Sequence, residues 1–322
     1  MGTYKEIFGK YVKNLSSDPA IGVSEGQIWY NTTTGTFKST LNVTAWASGG
    51  DLNSARTNGC SGGLQTAALY AGGGSPGAVT ELYNGTAWTT SPATMNTARF
   101  NMRGAGTQTS YIMTGGDPDN EAESFNGSAW SSETVYPASV SLIGACGTDA
   151  ASVFFGGGTP ITSTTYWNGS AWSAQGGTNQ GGAANNGPLG GGQTDAVFLS
   201  ATSLGSPAVI GRTQKWNGTS WSTSGTASTS GDGRSNMGTA STLCVAAGGR
   251  TSPTGYSTAS EVYNGTSWST TASLASPKAA GGGAGSGTAG LAFGGNSTGS
   301  PDVTAKTEEL TTAAVARTLT SS

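Results

Sequence analysis

A six-residue segment, aromatic–Asn–Gly–Ser/Thr–Ala/Ser–Trp, recurs along the chain and sets what it can fold into. It appears as Tyr83-Asn-Gly-Thr-Ala-Trp88, Phe125-Asn-Gly-Ser-Ala-Trp130, Trp167-Asn-Gly-Ser-Ala-Trp172, Trp216-Asn-Gly-Thr-Ser-Trp221 and Tyr263-Asn-Gly-Thr-Ser-Trp268. A worn copy, Leu41-Asn-Val-Thr-Ala-Trp46, precedes them. The tryptophans stand 42, 42, 42, 49 and 47 residues apart. Ahead of them runs a second landmark, an apolar stretch ending in glycines, as in Ala68-Leu-Tyr-Ala-Gly-Gly-Gly74, Val153-Phe-Phe-Gly-Gly-Gly158 and Leu291-Ala-Phe-Gly-Gly295. The fourth unit departs, with Val197-Phe-Leu-Ser-Ala-Thr-Ser203 in that place. Gly, Ser and Thr make up nearly half of the 322 residues. That composition alone also fits a disordered chain, but a fixed period of this length marks a stacked repeat.

Asn-Gly between apolar strand residues is a strong hairpin signal, because a two-residue type I′ turn needs positive φ at both central positions. With Asn84 and Gly85 as that turn, Tyr83 is expected opposite Thr86, and Glu81 opposite Trp88. Alternation then gives each unit an aromatic face and a smaller apolar face. Four short strands per unit and a period of 42 to 49 residues predict an all-β fold, a β-propeller of radially stacked sheets. Counting strands predicts six four-stranded blades, with the Trp46 strand joining the blade made by the C-terminal strands and closing the ring. Seven blades result if Gln27–Ser39 supplies an extra half blade. The divisions expected are an N-terminal segment over 1–40 with a hairpin, the propeller over 41–315 and a tail over 316–322.

The ordered landmarks Gly73-Gly74, Tyr83, Trp88 and Gly248-Gly249, Tyr263, Trp268 resemble the kelch family of propellers. Tyr and Trp are closer here than in most kelch repeats, and Trp167 and Trp216 occupy the Tyr slot in two units. The segment Gly26-Gln-Ile-Trp-Tyr-Asn-Thr-Thr-Thr-Gly-Thr-Phe-Lys38, followed by Gly/Thr-rich repeats, looks like tail and fibre structural proteins of tailed phages infecting marine bacteria, cyanophages among them. That resemblance implies a non-enzymatic virion protein of the tail, nozzle or fibre apparatus, made in the host bacterial cytoplasm. Residues 1–40 would dock to another virion protein, with Lys5, Lys10, Lys13, Trp29 and Tyr30 as candidate contacts, and the propeller would meet a host surface glycan or protein. Capsid decoration is the variant in location. A carbohydrate-active enzyme, glycan hydrolase or lyase, on the same fold is the variant in class.

Basic residues recur at the start of the first strand in several units, at Arg56, Arg99, Arg234 and Lys278. They are candidate contacts at the channel mouth for an anionic glycan or a partner carboxylate, or else they hold loop carbonyls between blades. Glu81, Glu123, Glu261 and Glu308 form a second repeated set, beside a Trp or at a blade interface, read as orienting through hydrogen bonds rather than as acids or bases. The fourth unit's insertion, Thr202 to Thr213, is the expected unit-specific contact.

Other chemistry is excluded or discounted. The chain has no histidine, so a His triad, a His-ligated metal and the copper site of galactose oxidase are impossible. No cofactor and no metal are expected. The Asp-box of sialidase propellers is absent. Cys60, Cys146 and Cys244 lie far apart without a C-x-x-C and read as small buried strand residues. The five Asn-Gly-Ser/Thr triplets serve the turn rather than glycosylation. A net charge of -3 argues against nucleic acid as a partner, and no apolar run is long enough for helical membrane insertion. No secretory leader pattern opens the sequence.

Overall fold

The computed structural model describes residues 12–19, 26–74, 77–116, 120–141, 143–156, 163–176, 188–200, 211–229, 231–252, 255–297 and 303–319. Among these the chain is all strand and loop, with no helix. It divides into two compact units, Trp46–Leu310 and a smaller one of Met1–Ala45 with Thr311–Ser322. The limits of the two units fall within strands Thr36–Ser48 and Thr307–Thr318.

The larger unit is built of antiparallel sheets in a propeller-like arrangement. The first sheet takes Cys60–Leu64, Ala67–Ala71, Thr80–Tyr83 and Trp88–Thr90 in that order. The second takes Arg103–Thr107, Ser110–Thr114, Ala122–Phe125 and Trp130–Glu133. The third takes Gly144–Thr148, Ala151–Phe155, Thr164–Trp167 and Trp172–Gln175. The fourth takes Pro188–Gly192, Asp195–Ser200, Arg212–Trp216 and Trp221–Thr226. The fifth takes Ser235–Ala240, Leu243–Ala247, Ser260–Tyr263 and Trp268–Thr270. In the last sheet, Gly282–Gly285 and Ala289–Phe293 are followed by Thr307–Thr318 and then by Thr36–Ser48. A strand from the N-terminal side thus completes a sheet begun near the C-terminus.

The Asn-Gly loop differs from the expected two-residue turn. Tyr83 pairs with Trp88 and Glu81 with Thr90, so Asn84–Ala87 form a four-residue loop. Gly85 has φ +92°, whereas Asn84 is not left-handed. The cause is the Asn84 side chain, whose Oδ1 accepts from Thr86 N at 3.0 Å and Ala87 N at 2.9 Å. A local side-chain acceptor of this kind substitutes for a ladder bond. The shifted register sets Tyr83 and Trp88 side by side, ring centroids 5.1 Å apart, and the same pairing recurs as Phe125–Trp130, Trp167–Trp172, Trp216–Trp221 and Tyr263–Trp268.

Successive sheets pack aromatic face on small face. Tyr83 and Trp88 bury against Ala284, Leu291 and Phe293 of the last sheet. On the other side of the first sheet, Cys60, Leu69 and Ala71 receive Tyr111, Phe125 and Trp130 of the second. The indole N–H of each repeat tryptophan then crosses to the neighbour. Trp130 donates to Thr80 Oγ1, Trp221 to Thr164 Oγ1, Trp268 to Thr213 Oγ1 and Trp88 to Thr307 Oγ1, at 2.6–3.0 Å. Each acceptor stands at the start of the third strand of the neighbouring sheet, as its first residue at Thr80, Thr164 and Thr307 and its second at Thr213. In the second sheet that position is Ala122, which has no hydroxyl, and Trp172 turns to the Thr134 carbonyl at 2.7 Å. In the fifth it is Ser260, and Trp46 reaches the Ala272 carbonyl at 2.9 Å. At these two half-buried tryptophans a backbone carbonyl takes the indole N–H where no side-chain hydroxyl stands.

In the smaller unit Ile28–Asn31 and Thr36–Ser48 form an antiparallel hairpin, and Lys13–Leu15 adds in parallel to its first strand. Thr312 and Leu319 lie along the other side of Thr36–Ser48, through Thr44 Oγ1 to Thr312 Oγ1 and Leu319 N to Phe37 O.

Candidate functional site

The repeated cations and carboxylates meet as buried pairs. Arg56 faces Glu81 at 3.2 Å, Arg99 faces Glu123 at 2.7 Å, Arg234 faces Glu261 at 3.1 Å and Lys278 faces Glu308 at 3.2 Å. Seven of the eight side chains are 0 or 1% exposed and the eighth, Glu308, 4%. The reading of the four cations as channel-mouth contacts is therefore corrected: no charge is left at the surface for a ligand. Each carboxylate also accepts two successive backbone N–H groups of the loop that enters its sheet. They belong to Asn53 and Ser54, Asn96 and Thr97, Ser228 and Thr229, and Ala275 and Ser276. The cations hold strand-end carbonyls in turn. Arg99 donates to Gly115 O and Glu121 O, and Arg56 to Val79 O and Tyr70 O. In the first and second sheets the pair thus fastens the entry loop to the second and third strands. Burial opposes ionisation of Glu261, but hydrogen bonds from Ser228 and Thr229 and the charge of Arg234 outweigh it and hold its pKa below the ordinary value.

The third sheet lacks the pair and shows why its parts belong together. The diglycine of one sheet donates an N–H to the carbonyl of the cation entering the next, as Gly73 does to Arg99, Gly249 to Lys278 and Gly295 to Arg56. Gly116 does the same to Val140, which marks Val140 as the position of the missing cation. Three residues earlier stands Pro137, where Asn53, Asn96 and Ala275 supply an N–H. Proline has no N–H to give. The carboxylate position holds Thr165, whose hydroxyl accepts from Tyr136 at 3.1 Å. Loop donor, cation and carboxylate change together.

Two of the cavities among the described residues of the larger unit bear on its entry loops and first strands. The larger, about 430 Å³, is walled by the first strands of the sheets, with Gly62, Gly106, Gly147, Gly190, Gly238 and Gly283 among the lining residues. Glycine is required at Gly190 and Gly283, where a Cβ would lie 2.7 Å from Gly238 O and 2.2 Å from Asn236 O. The first strands approach too closely for side chains. Ser61 Oγ donates to Gly283 O at 3.0 Å, and Tyr111 Oη to Ser61 O at 2.9 Å.

The smaller cavity, about 180 Å³, lies at the entries of the first strands. Its wall is a chain of backbone hydrogen bonds that the sequence did not reveal. Asn101 N donates to Asn58 O, Asn58 N to Ala280 O and Ala280 N to Gly233 O, at 2.7–2.8 Å. All four residues are left-handed, with φ of 61°, 60°, 57° and 68°, and each stands two residues before its first strand. Into this cavity come Arg103, Asp232 and Arg250. Arg250 pairs with Asp232 at 2.7 Å.

The docking candidates divide. Lys5 and Lys10, like most of the Thr202–Thr213 insertion, lie outside the described residues. Lys13 is exposed. Trp29 is corrected: it is 1% exposed, and its Nε1 donates to Asp18 Oδ1 at 3.3 Å. Asn31 and Lys38 bind the same carboxylate at 2.8 and 2.7 Å, which with Trp29 lowers the Asp18 pKa, the Lys38 bond most. Tyr30 points the other way, its ring tilted against that of Phe37 with centroids 5.1 Å apart. Beside them stand exposed apolar residues that sequence reasoning passed over: Ile28, Phe37, Leu41 and Leu319, each 44–47% exposed. Their alternation with Trp29 and Thr40 was visible in the sequence, but which face Asp18 covers was not.

Compared with known proteins, the chain matches no protein-family model and no curated protein. It is similar to a solved structure described as "Structure of YjhT", with a TM-score of 0.63 at 12% identity, over 82% of this chain and 99% of that one. At that identity the likeness concerns the fold.

Proposed function

We propose that the chain is a closed, kelch-like six-bladed propeller serving as a non-enzymatic structural protein of a phage particle, in its tail, nozzle or fibre apparatus. Six indole crossings support the closure, including Trp88 to Thr307 and Trp46 to Ala272, which join the last sheet to its two neighbours. The observation that carries the structural role is the one-sided apolar face of the smaller unit: Ile28, Phe37, Leu41 and Leu319 on one side, with Tyr30 among them. A face of this kind on a small sheet marks a protein contact, and its occupant in this reading is a neighbouring virion protein. The propeller is then presented to the host surface or to other particle proteins. A glycan hydrolase or lyase would need two convergent carboxylates, whereas the four repeated Glu residues are each committed to a buried cation.

Washed particles examined by mass spectrometry and by antibody labelling test the role. The protein is expected in the particle, and the variant Ile28→Glu/Phe37→Glu, folded but apolar-depleted, is expected to be lost from it. Absence of the wild-type protein from particles, or undiminished incorporation of the variant, contradicts the reading.

A further inference from the structure

We propose that the smaller cavity binds a single carboxylate group, held by Arg103. The four repeated cations each face a carboxylate, but Arg103 does not belong to that set. Among the described residues, no carboxylate oxygen lies within 4.0 Å of it, and the hydrogen bond its guanidinium makes is from NH1 to Met102 O at 2.8 Å. A guanidinium has five N–H donors in a planar fork, so Arg103, which lines the cavity, keeps donors for a ligand there. Desolvation lowers the pKa of Arg103 from its ordinary value, and the nearby Asp232 charge offsets this only in part.

The lining selects the ligand. Arg103 and Arg250 against Asp232 leave one net positive charge, which suits a monoanion. A phosphate dianion would meet the Asp232 carboxylate. A carboxylate is flat and takes two parallel bonds from an arginine fork. Asn58, Asn296 and Tyr256 also line the cavity and bring amide and phenol donors. The cavity volume is about 180 Å³. It holds a carboxylate with a few carbons, either a small free acid or the end of an acidic side chain of a protein partner.

The binding is tested by thermal unfolding of the full chain with sodium propionate, with sodium chloride at equal ionic strength, and with acetyl-Gly-Glu-Gly-amide against its Gln counterpart. Propionate and the Glu peptide are expected to raise Tm with saturation, while chloride and the Gln peptide do not. Tighter binding of the Glu peptide assigns the site to a partner's side chain, and tighter binding of propionate to a free acid. Arg103→Gln is expected to abolish the effect. Should that variant fail to fold, Arg250→Gln, which alters a half-exposed side chain and leaves Asp232 uncompensated, is expected to weaken binding about tenfold. No shift with either carboxylate, an equal shift with chloride, or unchanged affinity in these variants overturns the proposal.

Discussion

The second and third sheets share strand lengths and order, and the same aromatic–Trp pair, yet hold their entry loops by opposite chemistry. In the second, Arg99 and Glu123 form a buried ion pair saturated with backbone hydrogen bonds. In the third, Val140 and Thr165 stand in those places, Val140 is packed in an apolar cluster, and Pro137 removes the donor that a carboxylate would need. The difference teaches that the charges serve the loop and not a ligand. A buried pair contributes little net stability over an apolar isostere, but breaking one strands a charge. In the third sheet all three positions of the set differ together.

The largest effect that can break this comparison is removal of one partner. Arg99→Val or Glu123→Thr alone is expected to cost about 3–5 kcal/mol in urea unfolding, whereas Val140→Ala in the third sheet is expected to cost about 1–2 kcal/mol. Equal losses in the two sheets would remove the distinction.

A smaller effect concerns the indole crossings. Thr80→Val leaves the buried Trp130 N–H unpaired and is expected to cost about 1–2 kcal/mol. Ala122→Thr supplies the hydroxyl that the second sheet lacks for Trp172, and is expected to be neutral or to stabilise by up to about 1 kcal/mol. Melting temperatures of the two variants check both, and a stabilising Thr80→Val would contradict the assignment.

Acid is expected to act through the paired sheets. Glu261 has a folded pKa below its ordinary value. Its stabilisation is thus present above the unfolded value near 4.5 and is lost as pH falls through the lower folded value. Hydrogen exchange between pH 5 and 3 should open the entry loop of the fifth sheet before that of the third. Simultaneous opening would argue against the pair as the cause. The three thiols offer a chemical check on packing. Burial pushes Cys60 and Cys244 up to about 12 and Cys146 higher still, so native protein at pH 8 is expected to resist iodoacetamide, and prompt alkylation of any of them would contradict the buried assignment.

Much of this was legible in the sequence because the chemistry repeats. The Trp period located the sheets, and the Arg/Lys and Glu sets were visible as two recurring charges. Their mutual pairing was not, since it needs loop and third strand to meet across about 25 residues of chain. The Asn-Gly loop was misread because pattern cannot tell a turn made by backbone φ from one made by an Asn side chain. Trp29 was read as a contact because an aromatic in a hairpin fits either face, and Asp18 decides between them. Arg103 escaped notice because it occurs in one unit and has no periodic counterpart.

The central claim is that the repeated charges act as coupled structural pairs, and a double-mutant cycle on Arg99 and Glu123 tests it most directly. The double variant Arg99→Val/Glu123→Thr, which copies the third sheet, is predicted to recover most of the single-variant loss, with a coupling energy of at least about 2 kcal/mol. Additive losses, with the double variant as unstable as the sum of the singles, would contradict it.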